Sequence, residues 1–199
     1  MDAIYNFDYA VMNWIQDNLR SGFADGFMTF ITHLGDAGIF WIAIAVIMLC
    51  FRRTRKIGCV MGLALLSGVI IGNLTLKPLI ARVRPYENSE YIELIRVTKD
   101  MLLIKAPHDF SFPSGHTLAS FEAAVGIFVC NKKWGIPAII VAALVAFSRI
   151  YLYVHYLTDV IGGIVIGTCL AIAAYYVVNA LEPKVIAAVE RRKSQKTAE

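Results

Sequence analysis

Charged residues make up only 17% of this 199-residue chain, against the roughly 25% of ordinary soluble domains. With 58% of residues hydrophobic, that scarcity excludes a water-soluble globule and points to an integral membrane protein of one domain. Cysteine is also sparse. Cys50, Cys59, Cys130 and Cys169 lie in or beside apolar runs, and no two stand at metal-ligand spacing, so they read as small buried hydrophobes. No basic region followed by a short apolar run opens the chain, and no cleavable signal peptide is expected. No internal repeat or low-complexity tract is present. The net charge of +4 comes from positive residues gathered at segment ends, where they fix membrane orientation, and a nucleic-acid partner is not expected.

What the chain does have is a series of apolar runs. The fold expected is all-α: a polytopic membrane helical bundle of about five transmembrane helices plus an N-terminal amphipathic surface helix. Ile4, Phe7, Val11, Trp14, Ile15 and Leu19 recur at helical spacing, as for a helix lying on the bilayer. Residues 1–29 are read as this interfacial segment. The first span begins near Phe30 and runs to Phe51, because residues 37–51 alone are short of the about 20 residues a span needs. The others are residues 57–80, 114–130, 136–154 and 158–181. Arg52, Arg53, Arg55 and Lys56, then Lys132 and Lys133, then a basic tail over residues 182–199 all fall on one side if five spans are counted. That side is the cytoplasmic one by the positive-inside rule. Residues 1–36, with five aspartates against one arginine, and the loop 82–113 then face outward. Three Gly-xxx-Gly pairs, Gly58 with Gly62, Gly68 with Gly72 and Gly163 with Gly167, favour close helix packing.

This topology delivers three separated patches to the outer surface. The second span ends in Lys77 and Arg82-Val-Arg84-Pro85. The third begins at Pro113-Ser114-Gly115-His116. The fourth ends in Ser148-Arg149, followed by His155 and Asp159. Singly, each patch is also explained as a helix boundary, with Lys77, Arg82 and Arg149 snorkelling, Ser114 capping, and Asp159 capping the next helix. Together they suit phosphoryl transfer. Lys77, Arg84 and Arg149 neutralise phosphate oxygens, and the free N–H groups of a helix start at Ser114 and Gly115 bind the same anion. If its end is helical, the 148–159 stretch puts His155 and Asp159 on one face. The carboxylate then holds one imidazole nitrogen and leaves the other as a nucleophile. His116 supplies the general acid and base.

These motifs, in this order over residues 70–165, resemble the type 2 phosphatidic acid phosphatase family. The resemblance implies a phosphohistidine on His155, orientation by Asp159, acid–base work by His116, and phosphate binding by Lys77, Arg84, Ser114, Gly115 and Arg149. It also implies a reaction without metal or cofactor, and inhibition by vanadate. The substrate expected is a membrane lipid phosphate reached from the outer leaflet of the cell membrane. Undecaprenyl diphosphate is favoured over phosphatidylglycerophosphate and phosphatidic acid. A reading of another class, a small transporter or lipid-binding protein with a charged permeation site, remains open on the residues alone. Outside the motifs, His108 reads as an inert loop residue and His33 as an interface residue. Glu122 lies one to two turns below His116, as a group that tunes the site or bonds a neighbouring helix. The apolar residues of the loop 86–112 either cover the site or anchor the loop in the interface.

Overall fold

The computed structural model describes residues 2–198, with side chains through Lys184. The side chains of the expected basic tail beyond Lys184 lie outside the described residues. Helix α1 (Asp2–Asn18) is amphipathic, but in a different sense from the one expected. Ile4, Phe7 and Trp14 point outward, whereas Asp8, Tyr9, Met12 and Ile15 are buried against the protein. The inward side tolerates Asp8 because Arg82 and Thr158 receive it. A surface helix is thereby clamped to the body of the molecule.

Helix α2 (Gly22–His33) is N-capped by Ser21, whose Oγ accepts from Ala24 N at 3.2 Å. A break at residues 34–38, where Ala37 and Gly38 take left-handed φ values of 49° and 67°, bends the chain into α3 (Ile39–Cys50). The two helices meet at 41°. Helix α4 (Arg55–Gly68) widens into a π-helical stretch, Val69–Leu76, and tightens again in α5 (Lys77–Ile80). Such stretches gather at functional sites. Here Gly68 and Gly72 give room to Glu122 and Leu118 of α6 (Gly115–Cys130). Helix α7 (Lys132–Tyr151) starts at Asn131, whose side chain accepts from Trp134 N. Helix α8 (Leu157–Ala198) closes the bundle.

Helix α6 is the centre, packed against α4, α7 and α8. Its Ala123 and Ala124 are fully buried. Among the described residues three helical stretches are long and apolar enough to cross a membrane, and the bent α2–α3 pair makes a fourth if it is counted as one span. The remaining expected span is α6, whose 16 residues fall short of the about 20 usual for crossing. Many large apolar side chains face outward, among them Phe30, Ile42, Val46, Leu66, Leu74, Ile140 and Val165, as on the lipid face of a multi-pass membrane protein. Cys50, Cys59 and Cys169 are on this outer surface rather than buried. Lipid is as apolar as a protein core, so composition does not separate the two.

Two further expectations are corrected. Helix α7 ends at Tyr151 rather than continuing to residue 154, so residues 152–156 form a non-helical link in which Tyr153 has φ 60°. His155 and Asp159 therefore do not share the face of one helix. The loop between α5 and α6 is folded into short 3-10 turns, and its Leu94, Ile95, Leu102 and Ile104 pack on a cluster containing Tyr9, Tyr153 and Tyr156. These residues anchor the loop to protein.

Candidate active site

The 152–156 link is tied back to α7 by Leu152 N to Ser148 O at 2.9 Å and Val154 N to Arg149 O at 3.2 Å. That tether turns His155 inward, leaving it 1% exposed. Asp159, in the first turn of α8, accepts from Tyr156 N at 3.0 Å and lies 3.5 Å from His155 Nδ1. It thus caps its own helix and also faces the imidazole. Ser111, which was not among the expected residues, joins the pair: its Oγ donates to Asp159 Oδ2 at 2.5 Å and stands 3.5 Å from His155 Nδ1. With Nδ1 on this side, Nε2 points away from Asp159.

His155 Nε2 lies 3.2 Å from Arg84 Nη1. Arg84 is fixed by donating to Val154 O at 2.6 Å and, through Nε, to Asp109 O at 2.8 Å. Its Nη2 reaches Asp109 Oδ1 at 2.5 Å, and Lys77 Nζ donates to the other oxygen of that carboxylate. Lys77 and Arg84 therefore converge on one anion-sized position beside His155. Arg149, 2% exposed, donates from Nη1 to Thr32 Oγ1, and among the described residues nothing partners its Nε. A snorkelling cation would hold its head in water. These three are buried, and among the described residues only one carboxylate, that of Asp109, pairs with any of them. Such a cluster is short of negative charge and suited to an anion.

Ser114 N donates to Asp159 O at 3.2 Å, linking the start of α6 to the start of α8. Its hydroxyl makes no cap to α6 and instead accepts from Thr117 Oγ1 at 3.0 Å. Gly115 leaves the approach to Lys77 Nζ and Asn73 Oδ1 open. His116, one residue on, lines a cavity of 370 Å³ with Lys77, Asn73, Gly68 and Glu122. Glu122 is buried, and among the described residues nothing partners its Oε1. His108 is exposed, while His33 bonds Asp36, which in turn bonds His116.

Burial first, then the positive charges of Arg84, Arg149 and Lys77, hold the His155 imidazole well below the ordinary histidine range. An imidazole so shifted is uncharged at neutral pH. Burial pushes the Asp109 carboxyl up, but the hydrogen bond and charge of Lys77, with those of Arg84, outweigh it and hold the group well below the usual carboxylate range.

Arg82 does not snorkel either. It bonds Asp8, Asp159 and Thr158, and its guanidinium stacks 4.0 Å above the Tyr156 ring. Asp8, Arg82, Thr32, Asp36, Asp109 and Ser111 are the site residues that motif reading missed. For Asp8 and Asp36 a signal existed in the sequence: a carboxylate in an apolar segment asks for a partner.

A helical membrane protein with a buried, cation-rich anion site around a histidine is thus the class that fold and site define. Residues 57–183 match the model of the PAP2 superfamily, and the chain belongs to that superfamily. It is 34% identical over 145 residues to the undecaprenyl-diphosphatase of Sulfolobus acidocaldarius, a match covering 72% of this chain and 66% of that one, just under two thirds of the relative's own length. To phosphatidylglycerophosphatase B of Bacillus subtilis it is 30% identical over 181 residues, covering 84% and 79% of the two chains. Among solved structures, the PAP2-type phosphatidylglycerolphosphate phosphatase of B. subtilis superposes with a TM-score of 0.69 at 28% identity, covering 93% of this chain and 89% of that one.

Proposed function

We propose that this protein is a lipid phosphatase that cleaves a phosphate from a membrane lipid through a phosphohistidine, without a metal. The observation that carries the proposal is Arg84, which reaches from His155 Nε2 to a carboxylate it shares with Lys77. A phosphoryl group in that carboxylate's place lies against the nucleophile. Lys77, Arg84 and Arg149, with the hydroxyl of Ser114 and the N–H group of Gly115, spread the charge of the transition state, the Ser114 N–H being taken by Asp159 O. His155 Nε2 attacks phosphorus while Asp159, helped by Ser111, supports the positive charge growing on the ring. His116 protonates the departing oxygen, then takes a proton from the water that releases phosphate.

Undecaprenyl diphosphate is the favoured substrate, supported by the identity to the Sulfolobus enzyme, and phosphatidylglycerophosphate is the alternative, supported by the Bacillus one. The site faces the extracytoplasmic side of the cell membrane, on the strength of the basic residues 52–56 and 132–133 standing opposite it. As a single domain, the chain divides into an interfacial segment (1–29), an outer loop (82–113) and a cytoplasmic tail (182–199).

The test is phosphate release in detergent, with chelator present, from undecaprenyl diphosphate, phosphatidylglycerophosphate and phosphatidic acid. Turnover of at least one is expected in the native protein and none in His155→Ala, with acid-labile phosphate on the protein only when His155 is present. Turnover persisting in that variant removes the phosphohistidine route.

A further inference from the structure

His116 has a carboxylate of its own. Its Nε2 lies 2.9 Å from Asp36 Oδ1, and the other oxygen of Asp36 lies 2.7 Å from His33 Nδ1. Asp36 comes from the break between α2 and α3, a region outside the residues matched to the superfamily. The break is shaped around the imidazole. Gly35 passes so close that a Cβ there would stand 2.6 Å from His116 Cδ2 and 3.0 Å from Val145 Cγ1. The left-handed backbone of Ala37 and Gly38 then turns the chain sharply enough for Asp36 to face the ring. Left-handed backbone at a non-glycine residue costs energy and persists only where its surroundings hold it.

We propose that Asp36 is the positioning carboxylate of His116, held in turn by His33, so that the site contains two histidine–aspartate pairs with separate duties. His155 with Asp159 forms the bond to phosphorus. His116 with Asp36 moves the proton. This rests on the acid–base assignment of His116 made above. In the first step the N–P bond to His155 forms as the P–O bond breaks, and the proton on the His116 imidazolium passes to the departing oxygen. In the second, water gives a proton to His116 as its oxygen attacks phosphorus and the N–P bond breaks. The imidazolium is restored and no proton need be exchanged with solvent. In both steps the carboxylate of Asp36 fixes the ring and balances its positive charge, the service an orienting carboxylate gives to a catalytic imidazole elsewhere.

The test exploits the leaving group. An alkyl alcohol leaves phosphorus only with help from an acid, whereas 4-nitrophenolate leaves without it. Asp36→Asn keeps the size and an acceptor oxygen while removing the charge. With short-chain phosphatidic acid, kcat/KM, which reports only the steps through departure of the alcohol, is expected to fall about 10- to 100-fold, part of the 10²–10⁴-fold that general acid–base help supplies. With 4-nitrophenyl phosphate kcat/KM should stay within about threefold of the native enzyme, since that ester makes little use of the acid, while the phosphohistidine hydrolysis common to both esters slows. Asp36→Glu should restore part of the loss on the alkyl ester, and His33→Gln, which still donates to Asp36, should lose less than Asp36→Asn. Equal losses of Asp36→Asn on both esters would mark Asp36 as a structural residue and overturn the proposal, as would no loss on either. His116→Ala run beside it separates the two assignments. If that variant shows no preference for the aryl ester, His116 is not the acid and both fall. If it does and Asp36→Asn does not, only the pairing falls.

Discussion

Arg82 Nη1 lies 2.5 Å from Asp159 Oδ1, and Nη2 of the same guanidinium lies 2.8 Å from Asp8 Oδ2. One largely buried cation thus serves two fully buried carboxylates, one beside the proposed nucleophile and one on the N-terminal helix. Removing it strands both. Arg82→Ala is expected to destabilise the protein by about 3–5 kcal/mol, the usual cost of breaking a buried ion pair from one side. Arg82→Lys should recover only part of this, because a single ammonium cannot make the planar two-armed contact. Thermal unfolding in detergent reads both, and an unshifted midpoint for Arg82→Ala would show the network to be dispensable.

Ser111 gives a finer test of how Asp159 acts. Its hydroxyl donates to the carboxylate oxygen that faces His155. Ser111→Ala should leave KM alone and lower kcat about tenfold, as expected for the loss of one hydrogen bond to a charged group. Asp159→Asn should cost more, and His155→Ala everything measurable. A Ser111→Ala enzyme as fast as the native one would mean the carboxylate needs no help to hold the imidazole.

The three cations Lys77, Arg84 and Arg149 and the two motif histidines were legible from sequence because membrane segments rarely carry such groups without use. Their partners were harder to see. Asp8 comes from a segment whose regular apolar spacing favoured a surface helix, and Asp36 from the start of the expected first span; only the packing of α1 shows that Asp8 turns inward, and only the bend after α2 that Asp36 meets His116. The His155–Asp159 spacing of four suggested one helical face, yet Tyr153 breaks the helix between α7 and α8. The pairing survives because Asp159 begins the next helix and caps it. Outward cysteines and inward alanines were indistinguishable on hydropathy, since lipid and protein interior make the same demand.

Asp109 holds Lys77 and Arg84 with a carboxylate in the place proposed for phosphate. A dianion must displace it. Asp109→Asn removes the competing charge, so vanadate should inhibit the variant more tightly, by about tenfold, the equivalent of some 1.4 kcal/mol. Weaker inhibition would mean that Asp109 helps to assemble the site. The sign of its effect on stability also follows. Its folded pKa is depressed, so its contribution is present in full above the unfolded value of about 4 and is lost as pH falls through the folded one. The unfolding midpoints of native and variant should differ by a constant amount between about pH 5 and 8 and draw together only in stronger acid.

The Gly-xxx-Gly pairs are not equivalent, and the difference is measurable. At Gly167 on α8 a Cβ would stand 2.7 Å from the Leu118 carbonyl oxygen and 3.3 Å from Glu122 N. Backbone of α6 cannot yield there without moving the helix. A Cβ at Gly62 on α4 would meet nothing within 4 Å among the described residues. Gly167→Ala should therefore destabilise by about 1–3 kcal/mol through overpacking. Gly62→Ala should stabilise slightly, by roughly 0.5–1 kcal/mol, because alanine loses less freedom in a helix. Because α6 begins at Ser114-Gly115-His116, pushing it away from α8 also strains the Ser114 N to Asp159 O contact that joins the two helix starts. Gly167→Ala should consequently lose activity at temperatures where it is still folded, and Gly62→Ala should not. If both variants unfold and turn over alike, the close approach of α6 to α8 is not what sets the geometry of the site.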